Sequence, residues 1–174
     1  MRTWLTFLLT VCSFAALAQG SEPESCTADA RYSMLDFWLG DWDVYAGNEL
    51  VGTNRIEKTL DGCAVLEQWR GAIGRRGMSL FYVDDAGTWK QVWVSESATR
   101  PGGVKEKTGQ RVPDTGQLRF QGRIRTDDMH SYLDRTTLTA LEVDEVRQLI
   151  EVSTDEGATW KTVFDATYRR KDES

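Results

Sequence analysis

Hydrophobic and polar residues alternate along most of this chain with a period of two. Leu118, Phe120, Gly122 and Ile124 fall on one face of a strand, and Arg119, Gln121, Arg123 and Arg125 fall on the other. Trp160, Thr162, Phe164, Ala166 and Tyr168 likewise share a face opposite Lys161, Val163, Asp165, Thr167 and Arg169. Strand-like pieces begin near Trp42 and continue over 49–60, 63–70, 78–83, 88–94, 117–125, 131–143, 146–153 and 159–170. The breaks carry turn chemistry: Asp61-Gly62, Gly71 to Gly77, Asp84 to Gly87, Pro101-Gly102-Gly103, Pro113 to Gly116, and Asp155-Glu156-Gly157. No segment keeps a helical period over ten residues, although Met34 to Leu39 is an apolar cluster sized for one helical turn.

Short strands joined by hairpin-length breaks predict an all-β antiparallel meander. A sheet of about eight to ten such strands protects its edges by closing into a barrel or splitting into two layers. Closure into a calycin- or lipocalin-like β-barrel is the expectation, over residues 34–171. Residues 19–33, polar and aperiodic, read as an N-terminal arm.

The first eighteen residues read as a signal peptide. Arg2 is the positive end, Leu5 to Leu17 is largely apolar, and Ala16-Leu17-Ala18 offers a small-residue cleavage site. The apolar run is too short to span a bilayer. Cys12 lies inside that run and does not mark a lipoprotein cleavage point. Cleavage removes one Arg and no acid, so the net charge moves from −6 to −7. Such acidity argues against nucleic acid, whose phosphates need clustered Lys and Arg, and does not suit an anionic membrane. Export admits disulfides, and Cys26 and Cys63 are expected to pair. Closing that loop is worth about 4 kcal/mol on the chain-entropy account, with two free thiols as the competing reading.

Several motifs narrow the fold. Gly40-Asp41-Trp42 precedes the first strand as the Gly-x-Trp of lipocalins does. That likeness implies a Trp42 that plugs one barrel end under a late arginine, Arg169 or Arg170, with Arg169 preferred. Ser153 to Trp160 matches the Asp-box pattern Ser-x-Asp-x-Gly-x-Thr-Trp, and Asp84 to Trp89 is a looser version; both read as hairpins. In order, the chain carries Phe37-Trp38-Leu39-Gly40-Asp41-Trp42-Asp43-Val44, Gly62-Cys63-Ala64-Val65-Leu66-Glu67-Gln68-Trp69, Gly77-Met78-Ser79-Leu80-Phe81-Tyr82, Gly87-Thr88-Trp89-Lys90-Gln91-Val92-Trp93-Val94 and the Asp-box segment. This series resembles a family of secreted or periplasmic bacterial proteins of unknown function, the DUF1579-like group. The resemblance covers nearly the whole chain after the leader. It implies a lipocalin-like barrel and a periplasmic or secreted location, and no reaction. Ser95-Glu96-Ser97 departs from the family's usual Asp and Gly-containing turn, which bears on the rim of the pocket.

Candidate chemistry is sparse. Glu67 and Trp69 share a strand face, as do Gln91 and Trp93. Two indole rings beside a carboxyl and an amide could line a pocket for a small hydrophobic or amphipathic molecule, or be plain core around a satisfied polar network. Arg123, Arg135 and Arg147 are candidates for an interior cation, with Arg123 and Arg135 preferred, although strand arginines more often face solvent. His130, the only histidine, sits in a polar stretch and reads as a solvated loop residue. There is no Gly-x-Ser-x-Gly elbow and no glycine-rich phosphate loop ending in Gly-Lys-Ser/Thr. One His and two paired Cys do not make a common zinc site, and no cofactor is expected. The leading expectation is an exported binder of a small amphipathic ligand. The alternatives are an enzyme using Glu67 as acid or base on a small carbonyl or lactone, and a filled barrel that meets a partner in the cell envelope.

Overall fold

The computed structural model describes residues 25–126 and 130–171. The expected leader and the start of the arm lie outside the described residues. Ten strands follow one another: β1 (Gly40–Ala46), β2 (Glu49–Thr59), β3 (Ala64–Gly71), β4 (Arg76–Val83), β5 (Trp89–Ser95), β6 (Val104–Arg111), β7 (Leu118–Arg125), β8 (Ser131–Glu142), β9 (Glu145–Ser153) and β10 (Lys161–Arg170). Each pairs antiparallel with the next in sequence, and β10 returns to β1 through Trp42 opposite Arg170 and Val44 opposite Tyr168. The result is a closed all-β meander barrel with no free edge strand.

The alternation sorts the two faces as expected. Leu118, Phe120 and Ile124 of β7 are buried, while Gln121, Arg123 and Arg125 are exposed. Strand β6 departs from the sequence pattern, which left 95–116 as connection. Its inward positions are Lys105, Lys107 and Gly109, opposite Trp93, Gln91 and Trp89. An inner face made of lysines and a glycine carries no apolar alternation to read.

One end of the barrel is filled. Three short 3-10 turns, Cys26–Ala28, Ala30–Ser33 and Asp36–Trp38, lay the arm and the segment that follows it across this end. Leu35 and Trp38 are fully buried there with Trp42, Val44, Phe81, Phe120 and Tyr168. The Trp38 ring meets Phe81 and Tyr168 edge-on, each at 5.8 Å between centroids, a favoured aromatic geometry. The Cys26–Cys63 disulfide ties the arm to the β2–β3 corner. The plug partner differs from the expectation. Arg170 lies over the Trp42 ring at 4.3 Å, whereas Arg169 lies over Tyr45 at 4.9 Å on the outer face. The cause is register: Tyr168 points into the core, so Arg170, two residues on, shares its side and Arg169 does not.

The Asp-box segment forms the β9–β10 hairpin loop. Ser153 Oγ accepts from the Gly157 N–H at 2.8 Å, and Asp155 accepts from the Thr159 N–H at 2.9 Å. Hydrogen bonds from the Thr159 hydroxyl, the Thr159 N–H and the Ser153 hydroxyl hold the Asp155 carboxyl down at about 2. Asp84 plays the same part in the β4–β5 turn, accepting from the Thr88 N–H at 2.8 Å.

Candidate ligand-binding site

Away from the plug the barrel is hollow. A cavity of about 310 Å³ lies inside it, walled by Trp69, Trp93, Ile150, Val163 and Phe164, with Glu67, Gln91, Lys105, Lys107, Thr136, Gln148 and Tyr168 as its polar lining. Glu67 and Trp69 project inward from β3, and Gln91 and Trp93 from β5, because each pair sits two residues apart on a strand. Trp69 meets Phe164 of β10 edge-on at 6.1 Å.

A hydrogen-bonded floor separates the cavity from the plug. Glu67 accepts from Asn54 Nδ2 at 2.8 Å and from Ser79 Oγ at 2.6 Å. Ser79 Oγ in turn accepts from Gln91 Nε2 at 3.0 Å. Tyr168 donates to Gln148 Oε1 at 2.9 Å. Burial pushes the Glu67 carboxyl above its usual range, against the pull of its bonds to Ser79 and Asn54 and of the Lys107 charge. Burial, with the nearby Glu67 charge, raises the Tyr168 phenol well above its ordinary value. The floor is not fully satisfied: Gln91 Oε1 and Asn54 Oδ1 are buried and have no hydrogen-bond partner among the described residues. Gln91 lines the cavity, and its unbonded oxygen is itself buried beneath the lining.

The interior cations are lysines. Lys107 Nζ donates to Asp134 Oδ1 at 2.5 Å and to Thr136 Oγ1 at 2.7 Å, while Lys105 Nζ reaches Asp134 Oδ2 at 2.6 Å. Burial pulls the Lys107 ammonium down, and the Asp134 charge opposes the shift. Neither expected arginine enters the barrel. Arg123 stands on the outer face of β7 and pairs with Glu156, one bond being 2.9 Å. Arg135 is outside β8, bonded to Glu151 at 2.7 Å and stacked on Trp160 at 3.8 Å. In β8 it is Asp134, Thr136 and Leu138 that are buried on the inner side, which turns Arg135 outward. Arg147 is outside as well, paired with Asp165.

Lys105 and Lys107 were therefore missed, along with Ser79, Asn54 and Asp134. One signal could have found the lysines: 95–116 is too long for a structureless hairpin connection in a compact barrel. A strand through Val104 to Arg111 would then have put alternate lysines on the inner face.

No three His, Cys, Asp or Glu converge as a metal site among the described residues. No helix among the described residues is long and apolar enough to cross a membrane. No protein-family model matches the chain, and no curated protein matches it.

Proposed function

We propose that this is an exported protein that binds a small amphipathic molecule inside the barrel. The observation that carries the reading is the cavity itself, apolar on its Trp69, Trp93 and Phe164 walls and polar at its floor. Ligand sites combine apolar walls with a few convergent polar groups that fix orientation. A hollow of this size speaks against a filled barrel. The Cys26–Cys63 disulfide suits an oxidising compartment, and the leader-like sequence of 1–18 and the resemblance to exported bacterial barrels support export.

Acid–base chemistry by Glu67 is a second reading, favoured by the upward shift that burial gives its carboxyl. Both carboxyl oxygens already accept hydrogen bonds from Asn54 and Ser79, an arrangement that suits an anchoring group better than a proton carrier. Turnover of a small carbonyl or lactone substrate that Glu67→Gln abolishes would reverse that preference.

The test of the binding reading is mass spectrometry of organic extracts from protein purified out of its own exported fraction. A variant with Trp69→Leu and Trp93→Leu is the control. A near-stoichiometric small molecule in the wild type and its absence from the variant is the expected result. Equal amounts in both would remove the assignment of the pocket.

A further inference from the structure

The mouth of the barrel holds a second hollow that the binding reading leaves unassigned. This cleft, about 400 Å³, shares Trp69 and Trp93 with the inner cavity, so the two indoles stand at the junction of both spaces. Its outer walls are Arg75 from the β3–β4 turn, Arg76 at the start of β4 and Arg100 from the β5–β6 loop.

The charge in the cleft is unevenly matched. Glu96 is its only acid among the described residues, and it belongs to Arg76: Arg76 Nε donates to Glu96 Oε1 at 2.7 Å and the Arg76 N–H to Oε2 at 3.1 Å. Arg75 and Arg100 have no ion-pair partner among the described residues. Two unneutralised guanidinium groups therefore face one cleft on a chain whose formal charge is −6. Across the mouth, Glu156 is paired with Arg123, and Asp155 is taken up by its own turn. Neither competes for Arg75 or Arg100.

Both arginines sit on built loops. Gly71 N–H donates to Arg75 O at 2.7 Å, closing the β3–β4 turn. Arg100 N–H donates to Ser97 O at 2.8 Å, and Gly103 N–H to Arg100 O at 2.9 Å. Gly103 is obligatory there, since a Cβ on it would lie 1.9 Å from Ser97 O. The Glu96 N–H donates to Arg76 O at 3.1 Å and fastens the two loops to each other. Holding the two loops together lowers the ordering cost of binding between them.

We propose that this cleft is an oxyanion subsite and that the ligand is an amphipathic organic anion. Its apolar body lies against Trp69 and Trp93 toward the inner cavity, and its sulfonate, phosphate or carboxylate group is held by Arg75 and Arg100. The guanidinium fork matches such groups in a way that a lysine rim would not. This assignment rests on the binding reading and adds the charge of the ligand to it.

The test uses two fluorescent probes of nearly the same shape, anilinonaphthalene sulfonate and its uncharged parent phenylnaphthylamine. Wild type is expected to bind the sulfonate about tenfold more tightly than the neutral probe, a margin of the size of one charge-assisted contact. An Arg75→Gln, Arg100→Gln variant should lose that margin and keep its affinity for the neutral probe. A variant with Arg147→Gln and Arg169→Gln changes the net charge equally on the outer surface, leaves Glu156 paired, and should keep the margin. Added salt should narrow it. Equal affinity for both probes in wild type, or a margin that survives the rim substitutions, overturns the anion subsite. If Trp69→Leu with Trp93→Leu still weakens both probes in that case, the cavity reading stands. Absence of binding by either probe, or binding indifferent to the two tryptophans, overturns the subsite and the cavity reading together.

Discussion

Arg170 and Trp42 close the barrel end opposite the cavity, with the guanidinium carbon 4.3 Å above the ring centre. The same guanidinium donates to Leu39 O at 2.8 Å and to Asp144 Oδ1 at 2.7 Å. It thus joins the arm, β1 and the β8–β9 turn. Arg170→Ala should cost about 1–2 kcal/mol in urea unfolding, the sum of a ring contact and hydrogen bonds to a charged donor. Arg169→Ala removes an exposed pair with Glu145 and the contact over the Tyr45 ring on the outer face, and should cost clearly less than Arg170→Ala. Equal losses would mean that Arg170 has no special part in the closure. Gly40 supplies a cross-check, since a Cβ on it would lie 2.1 Å from Arg170 Nη1. Gly40→Ala should cost less in the Arg170→Ala background, where that clash is gone and only the strain of φ +132° remains.

Glu67 gives the fold a pH dependence of defined sign. Its carboxyl holds a proton more tightly in the barrel than in the unfolded chain, whose value is near 4.5. Between that value and the raised native one, the folded state binds more protons. Stability contributed by this group is therefore complete below pH 4.5 and is lost as pH rises through the native value. In Glu67→Gln the amide oxygen can still accept from Asn54 and the amide nitrogen can donate to Ser79. The variant should match wild type in acid and gain on it as pH rises above 4.5, levelling off once the native carboxyl has ionised. Parallel denaturation midpoints across that range would show that the carboxyl does not titrate differently in the fold.

The barrel was legible because its outward positions are polar and its plug-end positions apolar, as in β7 and β10. Strand β6 was not, because Lys105 and Lys107 replace the apolar half of the pattern. The pocket was half legible for a related reason. Glu67, Trp69, Gln91 and Trp93 declare themselves by spacing within single strands. The partners of Glu67 come from β2 and β4, and the carboxylate that holds the lysines comes from β8, pairings that only closure creates. Arg123 and Arg135 misled because each lies beside inward residues in sequence, and a shift of one position reverses the face.

Asp134 is the hinge of the interior charge cluster. It is fully buried and accepts from both Lys107 and Lys105. Asp134→Asn leaves Lys107 buried without its counter-charge and should cost about 3–5 kcal/mol in urea unfolding near neutral pH. Lys107→Met should cost clearly less, because Asp134 keeps Lys105, whose side chain retains 22% exposure. The double substitution should cost less than the sum, with a coupling of at least about 1 kcal/mol. Additive losses would show that the two groups are not acting as a pair.

Two glycines set the tryptophans that wall the cavity, and they should respond differently to a methyl group. A Cβ on Gly52 would lie 2.6 Å from the Trp69 ring and also 2.6 Å from Arg70 O, so both ring and sheet must give. A Cβ on Gly77 would lie 2.4 Å from the Trp93 ring but 3.1 Å from the nearest backbone atom, Val94 O. Trp93 is only half-buried, and it lines both the cavity and the rim cleft. Gly77→Ala should therefore displace that ring at small cost in stability, while Gly52→Ala strains the pairing of β2 with β3. If the cavity binds as proposed, Gly77→Ala should weaken phenylnaphthylamine several-fold and shift the tryptophan emission, with the urea midpoint nearly unchanged. Gly52→Ala should lower the midpoint outright. A Gly77→Ala protein that binds the probe as wild type does, although its emission has shifted, would remove Trp93 from the binding wall and leave Trp69 and Phe164 as its apolar side.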